Sequence, residues 1–187
     1  MTKDDLRKKY KAKRKKISAK QLDQFSLDIA NQCLKLDMWN KRLYHTFLSI
    51  KRHQEIDTGH LLHVLQGKDK DVVISKTESD LQMAHYLLTD ATPIAINNYG
   101  IPEPQGGISI EAKNIDVVFI PLLAYDGQGN RVGYGKGYYD VFLSQCQKDV
   151  IKVGLSFFPP EEQIEAQEHD QKLNYCITPT DIYEFEN

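Results

Sequence analysis

Residues 127–137 hold five of the chain's 11 glycines. The run continues through Asn130-Arg131-Val132-Gly133-Tyr134-Gly135-Lys136-Gly137-Tyr138-Tyr139-Asp140. It follows an apolar run of the kind that forms a buried strand and opens an amphipathic stretch of the kind that forms a helix. Free backbone N–H groups at a helix start, with the helix dipole behind them, make an anion cradle. Arg131 and Lys136 add full charges that can bridge phosphate oxygens. The known nucleotide motifs do not fit. A Walker A loop needs Gly-Lys-Ser/Thr, and here Gly137 follows Gly135-Lys136. The dinucleotide fingerprint fails because Tyr138 stands where its third glycine belongs. Asp140, in the first helical turn, reads two ways: an acid placed by the dipole, or a ligand for a hard cation such as Mg²⁺.

Other side chains are candidates by position. Glu55, in Glu55-Ile56-Asp57-Thr58, links a strand to a helix and so lies at a sheet edge. Glu103 sits in the rigid Ile101-Pro102-Glu103-Pro104 loop, and Asp170 follows His169 in an acidic stretch at 161–170. His60 and His63 lie three apart without a third metal ligand in pattern. Cys33, Cys146 and Cys176 form no C-x-x-C unit and read as reduced thiols. No Gly-x-Ser-x-Gly elbow and no Cys–His pair suggests covalent hydrolysis.

The elements that must position these groups follow from capping and periodicity. Thr2 caps a first helix running to about Lys16, with Asp5 at its third position. Ser18 and Gln21 form a capping box for a second, whose Leu22, Phe25, Ile29, Cys33 and Leu36 make a core face. Residues 42–50 alternate as a strand. Thr58 caps a helix over 60–66, ended by Gly67. Residues 71–75 and 94–96 are short strands, while 80–88 reads either way. Residues 115–120 are a near-continuous apolar run suited to a central strand, ended by Pro121. A glycine-rich loop over 127–137, a helix over 137–147, a strand over 151–157, a short acidic helix after Pro159-Pro160 and a last strand over 175–177 complete the order. Strands alternating with helices imply an α/β sandwich with a mostly parallel sheet. Ligands of such sheets sit beyond the carboxyl ends of the strands.

At 187 residues, with 41% hydrophobic and 27% charged residues, the chain fits one soluble domain spanning 1–187. Its longest apolar run, residues 117–124, is too short to span a membrane. No apolar stretch follows the basic start as in a secretory signal, and a cytoplasmic location is expected. Net charge is −2, but the first 20 residues carry ten Lys/Arg and two acids, leaving −10 on the rest. A basic arm on an acidic body suits a small anionic ligand better than a long polyanion. No nucleic-acid motif is present, so neither a nucleic acid nor a membrane is expected as partner.

The residues 130–140 closely resemble the signature of the 5-formyltetrahydrofolate cyclo-ligase family, Gly-x-Arg-Leu-Gly-x-Gly-x-Gly-Tyr-Tyr-Asp, with Tyr125-Asp126 matching the aromatic–Asp pair before it. Lys3-x-x-x-Arg7, Phe47-Leu48-Ser49 with Glu55-Ile56-Asp57-Thr58, Ile101-Pro102-Glu103-Pro104 and His169-Asp170 resemble its other anchors in order. Three features depart: Pro121-Leu122 replaces Pro-Gly, the stretch before Glu55 is long, and Asn174 stands where a late Asp is expected. The resemblance implies a Rossmann-like three-layer α/β/α sandwich. It also implies ATP- and Mg²⁺-dependent closure of 5-formyltetrahydrofolate to 5,10-methenyltetrahydrofolate, by a monomer or weak homodimer. It assigns ATP to Lys3, Asp4, Asp5, Leu6, Arg7, Arg131, Val132, Gly133, Tyr134, Gly135, Lys136, Gly137, Tyr138 and Tyr139. The folate falls to Leu48, Glu55, Glu103, Tyr134, Lys136 and Tyr138, with Lys136, Arg131 and Glu55 catalytic. The metal falls to Asp140 and Asp170.

Overall fold

The computed structural model describes residues 1–186. Two helices open the chain, α1 (Lys3–Arg14) and α2 (Ala19–Cys33). Both begin at capping boxes, Thr2 with Asp5 and Ser18 with Gln21, as the sequence predicts. Strand β1 (Leu43–His45), helix α3 (Gly59–Gly67) and strands β2 (Asp71–Thr77) and β3 (Met83–Leu87) follow. A hairpin of β4 (Ile94–Ile96) and β5 (Pro102–Pro104) precedes β6 (Ser109–Ile110) and the central β7 (Val117–Pro121). A second hairpin, β8 (Ala124–Tyr125) and β9 (Arg131–Val132), leads to α4 (Tyr138–Gln145). The chain closes with β10 (Ile151–Leu155), β11 (Tyr175–Ile177) and β12 (Ile182–Glu184).

Eight strands form one sheet in the order β12-β11-β10-β7-β1-β2-β3-β6. The five from β11 to β2 are parallel; β12, β3 and β6 pair antiparallel at the two sides. Successive residues of the buried strands serve opposite faces. Val117 and Phe119 pack with Ile29, Cys33, Leu61 and Leu65 of α2 and α3. Val118 and Ile120 pack with Phe142 and Leu143 of α4. Helices therefore cover both faces, and a third cluster seats α1 through Leu6 and Tyr10 on Leu123, Ala124, Val132 and Ile164. From the middle of the sheet the chain runs one way through β1 and β2 and the other way through β7, β10 and β11. That reversal opens a crevice beyond the carboxyl ends of β1 and β7.

Several expectations need correction. The strand expected over 42–50 stops at His45, because side chains take over its backbone groups. Thr58 Oγ1 donates to the Phe47 carbonyl, Ser49 Oγ to the Ile56 carbonyl, and the Ile50 N–H donates to Glu55. Thr58 occupies the N-cap of α3, but its hydroxyl is spent on Phe47 and does not cap. Pro121 ends β7 as its last residue, still paired with Leu155. The glycine-rich stretch is two pieces. Asp126 accepts from Gln128 N–H, Asn130 N–H and the Asn130 side chain, making a tight hairpin turn. Only residues after β9 form an open loop. No helix forms over 161–170, where the chain bridges Asp126 through Glu161 and then runs irregularly. The edge strand β12 escapes the sequence pattern.

Candidate active site

The crevice is a cavity of about 560 Å³. One wall is the loop 133–137 and the start of α4. Gly135 lies at φ +98°, and an added Cβ would stand 3.1 Å from the Arg7 guanidinium, so only glycine allows this approach. Gly137, at φ +83°, is the N-cap of α4 and leaves the helix end without a side-chain cap. α1 supplies Lys3 and Arg7 to the same wall. Arg7 Nε donates to the Gly133 carbonyl at 3.0 Å, and Lys3 Nζ pairs with Asp170 at 2.5 Å. Lys11, Arg52, Arg131 and Lys136 bring the lining cations to six, against the four acids Glu55, Glu103, Asp140 and Asp170. This surplus at an uncapped helix end suits an anion.

The opposite wall comes from the chain after β1 and from the β4–β5 hairpin. Leu48, Glu55 and Glu103 line it. Glu55 is 5% exposed and accepts from Ile50 N–H at 2.7 Å. Burial raises its carboxyl above the ordinary value, and the Tyr134 hydroxyl, Ile50 N–H and Arg14 charge only partly oppose this. Glu103, equally buried, accepts from Thr77 Oγ1 at 3.0 Å. The floor is neutral. Ser75 Oγ bridges His45 Nε2 at 2.8 Å and His85 Nδ1 at 2.6 Å, and burial holds both imidazoles well down, His85 to about 4.

The two carboxylates suggested as metal ligands line this cavity with hard oxygen donors. Asp140 Oδ1 pairs with Arg131 Nη2 at 2.6 Å and accepts from Gln171 N–H. Asp170 Oδ2 takes Lys3 and Gln167 N–H. In each case the bonds fall on one carboxylate oxygen. Burial works to raise the Asp170 carboxyl, but Lys3, Gln167 N–H and Arg131 hold it below the usual carboxylate value.

Of the residues named from sequence, Lys3, Arg7, Leu48, Glu55, Glu103, Arg131, Gly133 to Gly137, Tyr138, Tyr139, Asp140 and Asp170 converge on the cavity. The side chains of Asp4, Asp5, Leu6 and Val132 do not. Asp4 pairs with Arg7, Asp5 completes the capping box, and Leu6 and Val132 are core. Arg131 is not a free cation: it is 8% exposed and joined to Asp140 and the Gln171 carbonyl. Sequence reasoning missed His53, which stacks on Tyr134 at 5.1 Å, and Tyr99, whose ring faces Lys136. It missed Arg14 too, although Leu6 and Tyr10 mark a docked helix face among the lysines. The long stretch before Glu55 is a 3₁₀ turn closed by Gln54 in the left-handed region, and it carries Arg52 and His53 into the cavity. Asn174 has a structural task, accepting from Lys152 N–H at 2.8 Å. Leu122 fills space left by Gly154, where a Cβ would stand 2.6 Å from it.

Residues 1–179 match the family model described as the 5-formyltetrahydrofolate cyclo-ligase family. A probable 5-formyltetrahydrofolate cyclo-ligase of Schizosaccharomyces pombe is 29% identical over 178 residues, covering 86% of this chain and 87% of that protein. The 5-formyltetrahydrofolate cyclo-ligase of Mus musculus is 28% identical over 186 residues, covering 92% and 91%. The solved structure of Aquifex aeolicus 5,10-methenyltetrahydrofolate synthetase superposes with a TM-score of 0.85 at 25% identity, over 100% of this chain and 94% of that one.

Proposed function

This chain belongs to the 5-formyltetrahydrofolate cyclo-ligase family, and from that premise we propose that it converts 5-formyltetrahydrofolate to 5,10-methenyltetrahydrofolate at the expense of ATP, with Mg²⁺. The observation that carries the reading is the meeting of two unlike walls in one cavity: a cationic glycine cradle at a helix start, and a buried acceptor wall around Glu55.

On this reading the triphosphate lies along the loop 133–137, held by Lys3, Arg7 and Lys136. The pterin lies against Leu48, Glu55, Glu103, Tyr134 and Tyr138. Asp140 and Asp170 would hold Mg²⁺, which when bound would supply positive charge beside the phosphates. The formyl oxygen forms a bond to the γ-phosphorus as the bond to ADP breaks. N10 then bonds to the activated carbon, the carbon–oxygen bond breaks, and the N10 proton leaves with the phosphate. The residues act by positioning two substrates and matching developing charge, rather than as an acid–base dyad. Lys136 is exposed and outside every ion pair among the described residues, so it can follow the moving phosphoryl group.

Mixing the protein with Mg-ATP and 5-formyltetrahydrofolate should produce methenyl absorbance and one phosphate per turnover. Folded protein that binds ATP and makes no methenyl product would overturn the reading in favour of phosphoryl transfer to another substrate.

A further inference from the structure

Arg14 is the one residue of the basic arm whose charge lies in the interior, at 3% exposure. No ion pair among the described residues joins it to a carboxylate. Nη1 donates to the Tyr134 hydroxyl at 2.6 Å and Nη2 to the Leu122 carbonyl at 2.5 Å, while Nε has no partner among the described residues. A buried guanidinium bonded only to neutral oxygens is costly unless a negative charge stands close by. Glu55 is the complementary case: a buried carboxylate outside every ion pair among the described residues, accepting from the Ile50 N–H. Tyr134 and Glu55 line the same cavity, and the Tyr134 hydroxyl is held by Arg14. It accepts from Arg14, so its own proton is free for Glu55.

We infer that Arg14 is a positioning residue, which holds the Tyr134 hydroxyl in place and through it fixes Glu55 as an acceptor facing the cavity. The acceptor would serve the polar N–H groups of a heterocyclic substrate, and that use rests on the cyclo-ligase reading above. The groups facing Glu55 are Arg14, Tyr134 and Tyr139, with His53 stacked behind Tyr134 and Lys11 and Arg52 beyond it. Burial alone drives this carboxyl upward, and Arg14 and Tyr134 oppose it. Helix α1 thus serves both walls, with Lys3 and Arg7 toward the glycine cradle and Arg14 toward Glu55.

The test is a ¹³C titration of the glutamate side chains in ligand-free protein, paired with calorimetry of each substrate. In Arg14→Met the Glu55 midpoint should rise. Affinity for 5-formyltetrahydrofolate should fall about tenfold, the scale of one lost hydrogen bond to a charged group. Mg-ATP affinity should change less than about twofold, and Arg14→Lys should restore part of the loss. Tyr134→Phe leaves α1 untouched and should raise the same midpoint, which keeps the inference open to refutation if Arg14→Met fails to fold. An unchanged Glu55 midpoint in folded Arg14→Met, or in Tyr134→Phe, would overturn it and leave Arg14 as packing for the Leu122 carbonyl. Because the titration needs no ligand, it decides the role of Arg14 even if the wild-type protein makes no methenyl product.

Discussion

Lys136 and Arg131 stand five residues apart in one motif, yet the structure gives them different surroundings. Lys136 is exposed and outside every ion pair among the described residues, whereas Arg131 is buried and bonded to Asp140 and the Gln171 carbonyl. Lys136→Ala should therefore lower kcat/KM for ATP by roughly 10- to 150-fold, the worth of a charge-assisted contact of about 1.5–3 kcal/mol. Its melting temperature should stay at the wild-type value. Arg131→Ala should lose activity and also melt lower. It strips donors from a half-buried carboxylate and a carbonyl, at a cost of about 1–3 kcal/mol. Thermal melts of the two variants side by side check the contrast, and equal melting would mean that the Arg131–Asp140 pair contributes nothing to the fold. Asp140→Asn adds a test of the metal assignment. The amide keeps an acceptor for Arg131 but lacks the charge a hard cation needs. Titration at saturating ATP should show a raised Mg²⁺ requirement; a wild-type Mg²⁺ curve would leave Asp140 as a partner of Arg131 only.

At the scale of elements, capping chemistry and buried runs were legible in the sequence because they are local. Thr2-x-x-Asp5 and Ser18-x-x-Gln21 start helices where they stand, and the run at 115–120 is the central β7. The end of β1 was not legible, since it depends on hydroxyls of Ser49 and Thr58 that reach back across a loop. The neutral row His45–Ser75–His85 was equally invisible, because it runs across β1, β2 and β3 and no spacing within one strand encodes it. That row makes the sheet acid-sensitive. An unfolded histidine binds its proton near 6.5, whereas folded His85 binds it near 4 and His45 is also held well down. Between those values the unfolded chain binds more protons, so stability falls as pH falls. The slope contributed should be about 1.4 kcal/mol per pH unit for each histidine. Denaturant unfolding at pH 7, 6 and 5 measures it. His85→Gln should flatten the curve by about one proton, and an unchanged slope would show that His85 takes up its proton without unfolding.

For the whole molecule, α1 is the part whose position depends on the most distant stretches of chain. Lys3 meets Asp170, Arg7 meets Gly133, and Tyr10 donates to Glu161. From the sequence alone the arm read as basic and ligand-directed; its apolar seat depends on residues more than a hundred positions away. Leu6 is 1% exposed on Leu123, Val132 and Ile164, so the helix is bound to the body by burial and to the cavity by charge. These two attachments can be separated. Leu6→Ala removes a buried side chain and should cost about 2–5 kcal/mol. At about 2–4 °C per kcal/mol for a chain of this size, the melting temperature should fall by about 4–20 °C. Lys3→Ala with Arg7→Ala removes two charges at the cavity edge and leaves that seat intact. Its melting temperature should fall less than that of Leu6→Ala, because the apolar seat stays and the Asp4 end of the Arg7 pair is solvated. ATP affinity should nonetheless fall by tenfold or more, since on one helical face the two cations can meet a single triphosphate. Calorimetric ATP binding and thermal melts on the same two preparations decide the matter. A double variant that binds ATP as the wild type does would reduce α1 to a structural strap. A Leu6→Ala variant with unchanged melting would mean that the ionic contacts alone hold the helix down.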